Sequence, residues 1–391
     1  MFNFDGIKFN RQELSGAFGD IGTDIPLLIA MILATGLEAT SVFIIFGSLQ
    51  ILTGLIYKLP MPVQPLKAVA TIVITQKIAG SIVLGAGLAI GIVMFLLSIT
   101  GALDKLNKII PKAVVRGLQF GLGISLCLLA CKEYIPSKGL EGYLLSFLSF
   151  TIIIFLIDNR KFPVSVIIII IGIIYAIGTN SNLSHIDISF GINLPKFNIP
   201  TIESISTGFL LLALPQIPLS LGNSILATKQ TANDLFPEQK QITVKKIGIT
   251  YSILNLISSL FGGIPCCHGS GGMLGHYTFG GRTGGSVIIY GTIFLSLGLF
   301  FGNGLFYLVN AFPLSILGVI LLFEGISLVS LIKDLISERR NFIIALFVSV
   351  ISFGLPFGFL LGMLVGTLLF YSPIQFRVFH DIGINKDKDS K

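Results

Sequence analysis

The stretch LPMPVQPLKAVA, at residues 59–70, decides the fold of this 391-residue chain. Each proline restricts the residue before it to an extended conformation, so residues 59–64 are predicted to form a strand-like run. Pro65 suits the first position of a helix, where its missing N–H costs nothing. The helix predicted from Pro65 to Thr75 would be about 16 Å long, which is roughly half of the ~30 Å hydrocarbon core of a bilayer.

A second broken stretch, FGGIPCCHGSGG at residues 261–272, repeats this plan, with Pro265 matching Pro62. Its extended run is predicted to give way to a helix starting around His268. The first turn of each helix leaves backbone N–H groups without partners, in the first stretch those of residues 66–68. Together with the positive end of the helix dipole, such groups form an anion site. The structural alternative is that both stretches are kinks between ordinary helices, where neighbouring Ser and Thr side chains and water bind the unpaired backbone groups.

The composition is that of a membrane protein. Hydrophobic residues make up 53% of the chain and charged residues 12%, about half of the ~25% charged residues in soluble proteins, and the mean hydropathy is +0.90. These values exclude a cytosolic enzyme, a nucleic-acid binder and a disordered chain. We predict an all-α polytopic protein with about 14 apolar segments, at residues 15–36, 39–57, 65–75, 79–101, 111–131, 143–157, 163–178, 206–228, 247–262, 268–280, 285–303, 313–332, 341–355 and 356–373.

An internal repeat organises these segments. Residues 111–126 and 313–328 share an initial proline and a G-I-S-L quartet at a spacing of 202. Seven segments fall in each half, and an odd number inverts the second half in the membrane. We therefore predict an N-terminal repeat at 1–200, an inverted C-terminal repeat at 201–373 and a tail at 374–391. Short, Pro/Gly-interrupted segments at matching positions of two halves, here segments 3 and 10, mark the binding site of a transporter.

The basic residues favour one orientation. With a cytoplasmic N-terminus, twenty-one of the 26 Lys and Arg residues fall on the cytoplasmic side, four fall outside, and Lys67 lies within a segment. Such a bias in short loops follows the positive-inside rule. Both termini are predicted to be cytoplasmic in a multi-pass plasma-membrane protein. The N-terminus lacks the pattern of a cleaved signal peptide, and the net charge of +7 lies in short loops rather than in a nucleic-acid surface.

Four motifs carry a family resemblance: GAFGDIGTDIP (16–26), PMPVQPLK (60–67), PCCHGSGG (265–272) and RTGGS (282–286). They resemble the signatures of the molybdate transporter family, which is related to the SulP sulfate permeases, and the resemblance covers nearly the whole chain. It implies a seven-plus-seven inverted-repeat fold, with a core of segments 1–4 and 8–11 and a gate of segments 5–7 and 12–14. It also implies uptake of molybdate or a similar tetrahedral oxyanion.

The chain departs from the family pattern at two positions. Leu66 stands where the family often has methionine, and Asp24 is an acid at a variable position, which affects any coupling role carried over from the family. The tail after Tyr371 has about twenty residues, too few for the cytoplasmic STAS domain of most sulfate permeases.

The candidate substrate-binding residues lie around the two broken segments. Gln64 offers amide donors just before the first half-helix, and Lys67 either adds a full charge or pairs with Asp20 or Asp24. His268 is a donor to the anion, a proton carrier or an anchor of the helix start. The complete predicted set is Gln64, Pro65, Leu66, Lys67, Gln216, Cys267, His268, Gly269 and Ser270.

Asp20 and Asp24 are the candidates for coupling, together with His268. Their i, i+4 spacing places both carboxylates on one face of the first helix, where they repel each other and any anion. Protonation, sodium binding or a salt bridge to Lys67 or Arg282 would relieve that repulsion. We predict that the coupling partner is a proton or a sodium ion, and that the protein holds neither a resident metal ion nor a cofactor.

The remaining polar and thiol groups are interpreted as lying outside the binding site or as structural. Arg116 and Glu324 lie in the paired fifth and twelfth segments and are predicted near membrane ends or gates, outside the site. The cysteines Cys127, Cys131, Cys266 and Cys267 show no zinc-type pairs and are interpreted as buried free thiols, the first three with no assigned role.

The predicted function is secondary transport of a tetrahedral oxyanion, molybdate first and sulfate second. A nucleobase transporter of the same fold resembles this chain but uses glutamates on segments 8 and 10, and no acid lies between Glu203 and Lys229 or between Ile247 and Arg282. An intramembrane hydrolase would need glycine two residues before Ser270, so we predict no enzyme. A channel is disfavoured by the broken helices, and the sequence leaves open whether the protein is a homodimer.

Overall fold

The computed structural model describes residues 6–103, 111–156, 164–179, 191–239 and 242–374. Two short strands, β1 (Val63–Pro65) and β2 (Cys266–His268), interrupt an otherwise helical chain. The helices are α1 (Arg11–Ala17), α2 (Ile21–Thr35), α3 (Ala39–Tyr57), α4 (Lys67–Gln76), α5 (Gly80–Ile99), α6 (Lys112–Leu129), α7 (Gly139–Leu156), α8 (Val164–Thr179), α9 (Ile202–Gly208), α10 (Leu214–Leu219), α11 (Ala227–Leu235), α12 (Val244–Leu260), α13 (Ser270–Thr278), α14 (Gly285–Phe300), α15 (Gly302–Ala311), α16 (Leu314–Ser330), α17 (Arg339–Gly354) and α18 (Gly358–Tyr371).

Each of the fourteen predicted apolar segments overlaps at least one of these helices. Within the described ranges, five helices are individually long and apolar enough to cross a membrane, and bent pairs raise that number to seven. The remaining apolar helices are shorter, such as α4 and α18, or broken. The mostly helical architecture is confirmed, whereas the number of fourteen spans stays a prediction.

The eighth segment is long enough to cross a membrane, but its helix is irregular. The sequence predicts one segment at 206–228, but the structure divides this region into α9, a wide π-type turn at Phe209–Ala213, α10 and a second wide turn at Ser220–Leu226. Pro215 and Pro218 lie in the middle of it. Each proline removes an N–H donor and crowds the preceding turn, which loosens the helix around Gln216.

The two strands meet in the centre of the molecule. They pair antiparallel, with Val63 opposite His268, Gln64 opposite Cys267 and Pro65 opposite Cys266. The Leu66 N–H extends the ladder by donating to the Pro265 carbonyl at 3.0 Å. The antiparallel pairing of two matching segments supports the predicted inversion of the second half.

The pairing corrects the predicted helix starts. Pro65 was expected at the first helical position, but it ends β1, and α4 starts at Lys67. The second helix was expected around His268 and starts at Ser270. In both cases the extended run continues because the opposite strand supplies hydrogen-bond partners, including the acceptor for the Leu66 N–H that was expected to be free.

Two buried amide side chains hold the outer edges of this sheet. Gln50 on α3 donates to the Val63 carbonyl at 2.7 Å and accepts from the Val63 N–H at 2.9 Å. Asn255 on α12 makes the same pair of bonds with Cys266, at 2.7 and 3.0 Å. Both amides are fully buried. We call these two residues the amide clamps.

Glycines allow helices from the two halves to pack backbone to backbone. Gly123 on α6 and Gly325 on α16 belong to the two G-I-S-L quartets, and they face each other. A Cβ atom on Gly123 would lie 2.5 Å from the Gly325 carbonyl oxygen, and a Cβ on Gly325 would lie 2.7 Å from the Gly123 oxygen. Residues at matching repeat positions therefore touch each other, as Gln64 and Cys267 do in the sheet.

Candidate functional site

A cavity of about 360 Å³ lies where the N-termini of α4 and α13 converge. Its walls come from both half-helices, from α10 and the turn after it, and from α6 and α16. The lining residues are Gln64, Leu66, Lys67, Ala68, Arg116, Gln119, Leu122, Gln216, Leu219, Ser224, Cys267, Gly269, Ser270, Gly271, Ser327, Leu328 and Leu331. Seven of the nine predicted substrate-binding residues are among them.

Strand alternation explains why the other two are not. Successive side chains of a strand point to opposite faces, so the pair Gln64 and Cys267 faces the cavity. Pro65 lies one residue along the strand and is absent from the lining. His268 also alternates away: its Nε2 lies 2.8 Å from the Thr250 hydroxyl, and its ring packs edge-on against Tyr57. Of the three roles considered for His268, this placement fits an anchor of the helix start.

Gln64 connects the cavity to a buried carboxylate. Its Nε2 donates to both oxygens of Asp20, at 2.8 and 2.7 Å. Its Oε1 lies so close to Gly269 that a Cβ there would be 1.4 Å away, and a Cβ on Gly272 would lie 2.3 Å from Asp20 Oδ2. The glycines of the PCCHGSGG motif thus allow the Gln64–Asp20 pair to sit against the start of α13.

Lys67 pairs with an acid from the opposite half of the chain. Its Nζ lies 3.0 Å from Glu324 Oε2, and the Thr23 hydroxyl donates to Glu324 Oε1 at 2.9 Å. Sequence analysis placed Glu324 outside the site and left two alternatives for Lys67, a full charge added to the site or a pair with Asp20 or Asp24. The structure shows that the glutamate on α16 is the salt-bridge partner.

The half-helix N-termini retain free donors. The Val69 N–H donates to Gln216 Oε1 at 3.2 Å. Within the described part of the chain, the N–H groups of Lys67 and Ala68 have no hydrogen-bond acceptor, and the first N–H groups of α13 from Ser270 have none either. These donors and the positive ends of two helix dipoles lie at the cavity wall.

Arg116 adds a second positive charge, which sequence analysis had placed outside the site. Its guanidinium donates to Gln119 Oε1 at 2.8 Å and to Asp334. Arg116 Nε and Gln119 Nε2 are buried donors without a partner in the described structure. Both residues line the cavity, so α6 contributes polar side chains to its wall together with the half-helices.

The polar lining is therefore rich in donors and cations, and it includes neither Asp nor Glu. A desolvated cavity with this composition favours an anion, because a carboxylate-free wall does not repel it and free donors otherwise carry a desolvation cost. The described residues contain no cluster of three or more His, Cys, Asp or Glu side chains that could hold a metal ion.

The predicted coupling acids lie behind the cavity wall. Asp20 is 5% exposed and is held by Gln64, whereas Asp24 is fully buried. Asp24 Oδ2 accepts from the Tyr290 hydroxyl at 3.2 Å, and its Oδ1 has no partner in the described structure. Arg282 pairs with neither acid and instead stacks on Tyr277, 3.6 Å from the ring centre.

The RTGGS motif has a structural partner that sequence analysis missed. Glu13 is buried, and its carboxylate accepts the N–H groups of Arg282, Thr283 and Ser286, each at 3.0 Å. It thereby satisfies orphan donors around the start of α14. The motif is explained by this contact between α1 and α14 rather than by the cavity.

The cysteines differ in environment although all four are free. The predicted burial is confirmed for Cys266 and Cys267, but it is wrong for Cys127, which is half-buried, and for Cys131, which is exposed on the surface of the isolated chain. Cys267 lines the cavity.

Comparison with known proteins identifies the family. The family described as "Molybdate transporter of MFS superfamily" matches residues 12–126 and 208–328. Molybdate transporter 2 of Arabidopsis thaliana is 33% identical over 92% of this chain and 87% of its own length. The chain belongs to the molybdate transporter family. Molybdate transporter 1 of Chlamydomonas reinhardtii is a more distant relative, 25% identical over 90% of both chains.

Solved structures place this family member in a wider fold group. The transmembrane domain of the cyanobacterial bicarbonate transporter BicA superposes with a TM-score of 0.66 at 17% identity, covering 93% of this chain and 97% of BicA. Murine SLC26A9, an anion transporter captured in an inward-facing state, gives a TM-score of 0.65 at 12% identity, covering 93% and 68%. The chain is thus a multi-pass membrane protein with the SLC26/SulP fold.

Proposed function

We propose that this protein is a secondary transporter that imports a tetrahedral oxyanion, molybdate first and sulfate second. The observation that carries the proposal is the carboxylate-free cavity where two half-helix N-termini meet Lys67 and Arg116. Relatives named as molybdate transporters support the choice of oxyanion. A nucleobase would require acceptors for its N–H groups, and the acids that could supply them do not line the cavity.

The anion binds between the N-termini of α4 and α13. Free N–H groups of both first turns, the Lys67 ammonium and the Ser270 hydroxyl donate to its oxygens, and Gln64 and Gln216 set the shape of the wall. Interactions of this type need little reorganisation, since helix N-termini present fixed N–H groups to an anion.

Transport proceeds by movement of a core (segments 1–4 and 8–11) against a gate (segments 5–7 and 12–14). The cavity extends toward Arg116 and Leu331, which border the loops that the charge bias assigns to the cytoplasm of a plasma-membrane protein. This state therefore faces inward. Asp20 and Asp24 carry the coupling proton or sodium ion, Asp20 through its contact with Gln64.

The first test is titration of the purified protein with molybdate, with sulfate and uracil as competitors. Tight molybdate binding that excess sulfate fails to displace identifies a molybdate carrier, and equal displacement identifies a general oxyanion permease. Binding of uracil alone would refute the proposal.

A matched pair of variants locates the site. Lys67→Gln should weaken molybdate binding about 10-fold or more, since hydrogen bonds to charged groups contribute about 1.5–3 kcal/mol. Lys77 ends the same helix but lies outside the cavity, paired with Glu133, so Lys77→Gln should leave binding unchanged. Equal effects of both variants would show that the anion binds elsewhere.

Coupling is tested by uptake into proteoliposomes with imposed gradients. Asp24→Asn should abolish the stimulation by a proton or sodium gradient while molybdate binding persists. Uptake by the wild-type protein that ignores the collapse of both gradients would overturn the coupling assignment.

A further inference from the structure

The salt bridge between Lys67 and Glu324 joins the site to the gate. Lys67 is the first residue of the half-helix α4 and lines the cavity, while Glu324 lies on α16 outside the lining. The two charged groups are 3.0 Å apart, and the Glu324 side chain is only 15% exposed. The Thr23 hydroxyl fixes the second carboxylate oxygen at 2.9 Å.

The nearby acids have other partners. Asp20 accepts two hydrogen bonds from Gln64, and Asp24 accepts one from Tyr290. Among the described residues, Glu324 is thus the carboxylate in salt-bridge contact with Lys67. It neutralises a cation that lines the cavity and whose side chain is 39% exposed.

We propose that Glu324 is an internal counter-anion, which the substrate dianion displaces from Lys67. This inference rests on the proposed function, because it assumes that the oxyanion binds at the start of α4. An anion that reaches Lys67 comes next to the Glu324 carboxylate, whose side chain is only 15% exposed, and the two negative groups repel each other. Binding therefore weakens the Lys67–Glu324 contact.

The displacement links occupancy to movement. Lys67 and Thr23 belong to the proposed core, and Glu324 belongs to the proposed gate. In the empty carrier the salt bridge neutralises Lys67 and holds the core against the gate. In the loaded carrier the dianion neutralises Lys67 and the core–gate contact is released. Movement of the empty carrier therefore requires the salt bridge to break, whereas the loaded carrier moves with Lys67 compensated by its substrate.

The test compares Glu324→Gln with Glu133→Gln. Each change removes a salt bridge between a lysine of α4 or its C-terminal cap and an acid of the gate. Glu324 pairs with Lys67, which lines the cavity, whereas Glu133 pairs with Lys77, which lies outside it. Isothermal titration is carried out with molybdate, a dianion, and with perchlorate, a tetrahedral monoanion. Glu324→Gln should tighten molybdate binding about 10-fold and perchlorate binding about 3-fold, because Coulomb repulsion scales with the charge of the ligand. Glu133→Gln should change neither.

A second measurement separates the counter-anion from a structural role. In proteoliposomes, Glu324→Gln should retain molybdate–molybdate exchange and raise net uptake relative to exchange, because the empty carrier then returns without first breaking the core–gate salt bridge. If this variant cannot be purified, Thr23→Val keeps the carboxylate but removes the hydroxyl that fixes it, and should tighten molybdate binding about 3-fold, since a charged hydrogen bond no longer holds Glu324.

The outcomes distinguish the two proposals. Equal shifts for molybdate and perchlorate, weaker binding of both, or an unchanged ratio of net uptake to exchange would overturn the role of Glu324 while oxyanion transport stands. Failure of the wild-type protein to bind any oxyanion would overturn the proposed function and this inference with it.

Discussion

Replacing Gln50 by methionine tests whether the amide clamps hold the site together. Gln50 is fully buried and makes two hydrogen bonds to the backbone of Val63, at 2.7 and 2.9 Å. Methionine has a similar volume but leaves a buried N–H and a buried carbonyl unpaired. Each unpaired group costs about 1–3 kcal/mol, so Gln50→Met should destabilise the protein by about 2–6 kcal/mol.

The assay is thermal unfolding of the purified protein, together with molybdate binding. At ~2 °C per kcal/mol, the midpoint should fall by about 4–12 °C. Molybdate affinity should fall as well, because β1 positions Gln64 and the start of α4. Asn255→Leu removes the matching clamp on Cys266 and should have an effect of similar size.

Gln76→Met is the control for the chemical change, since Gln76 is an exposed residue at the end of α4. It should leave the midpoint and the affinity unchanged. The reasoning would be refuted if Gln50→Met unfolded at the wild-type temperature and bound molybdate normally. The extended conformation of β1 would then depend on its prolines alone.

Three further predictions concern other contacts. Gly325→Ala should cost about 1–3 kcal/mol through overpacking, whereas Gly354→Ala, whose Cβ meets nothing within 4 Å, should be neutral in the same unfolding assay. Glu13→Gln should lower the unfolding midpoint, because one acceptor of backbone N–H groups becomes a donor; an unchanged midpoint would contradict this. Bound molybdate should protect Cys267 from a small thiol reagent, as measured by mass spectrometry, and unaltered labelling would place the anion elsewhere.

Much of the site could be predicted from local chemistry. Prolines at fixed positions predicted extended runs followed by short helices, and the repeat predicted that two such runs belong together. What could not be predicted was how long the runs remain extended. That length depends on pairing between strands about 200 residues apart, where Pro265 accepts from the Leu66 N–H.

The missed residues share a physical cause. Glu324 pairs with Lys67, which lies 257 positions earlier in the sequence. No periodic pattern in the sequence identifies the partner of an acid in an apolar segment. In the sequence, Gln50 and Asn255 are likewise single amides within apolar helices, without a pattern that indicates their partners. Such residues are recognisable only as polar groups that must find a partner in the membrane, and the fold decides which partner.

The geometry of the site is nearly symmetric, but its chemistry is not. Lys67 and Ser270 each start a half-helix and are 203 positions apart, the same spacing that relates Gln64 to Cys267. One half therefore contributes a charge and an amide where the other contributes a hydroxyl and a thiol. A symmetric pair of lysines would place two cations at the ends of two opposed helix dipoles, and the empty site would need two counter-anions. With one lysine at the half-helix starts, one glutamate suffices there, and it lies in the half of the chain that lacks the lysine; Arg116, the other cation of the lining, pairs with Asp334.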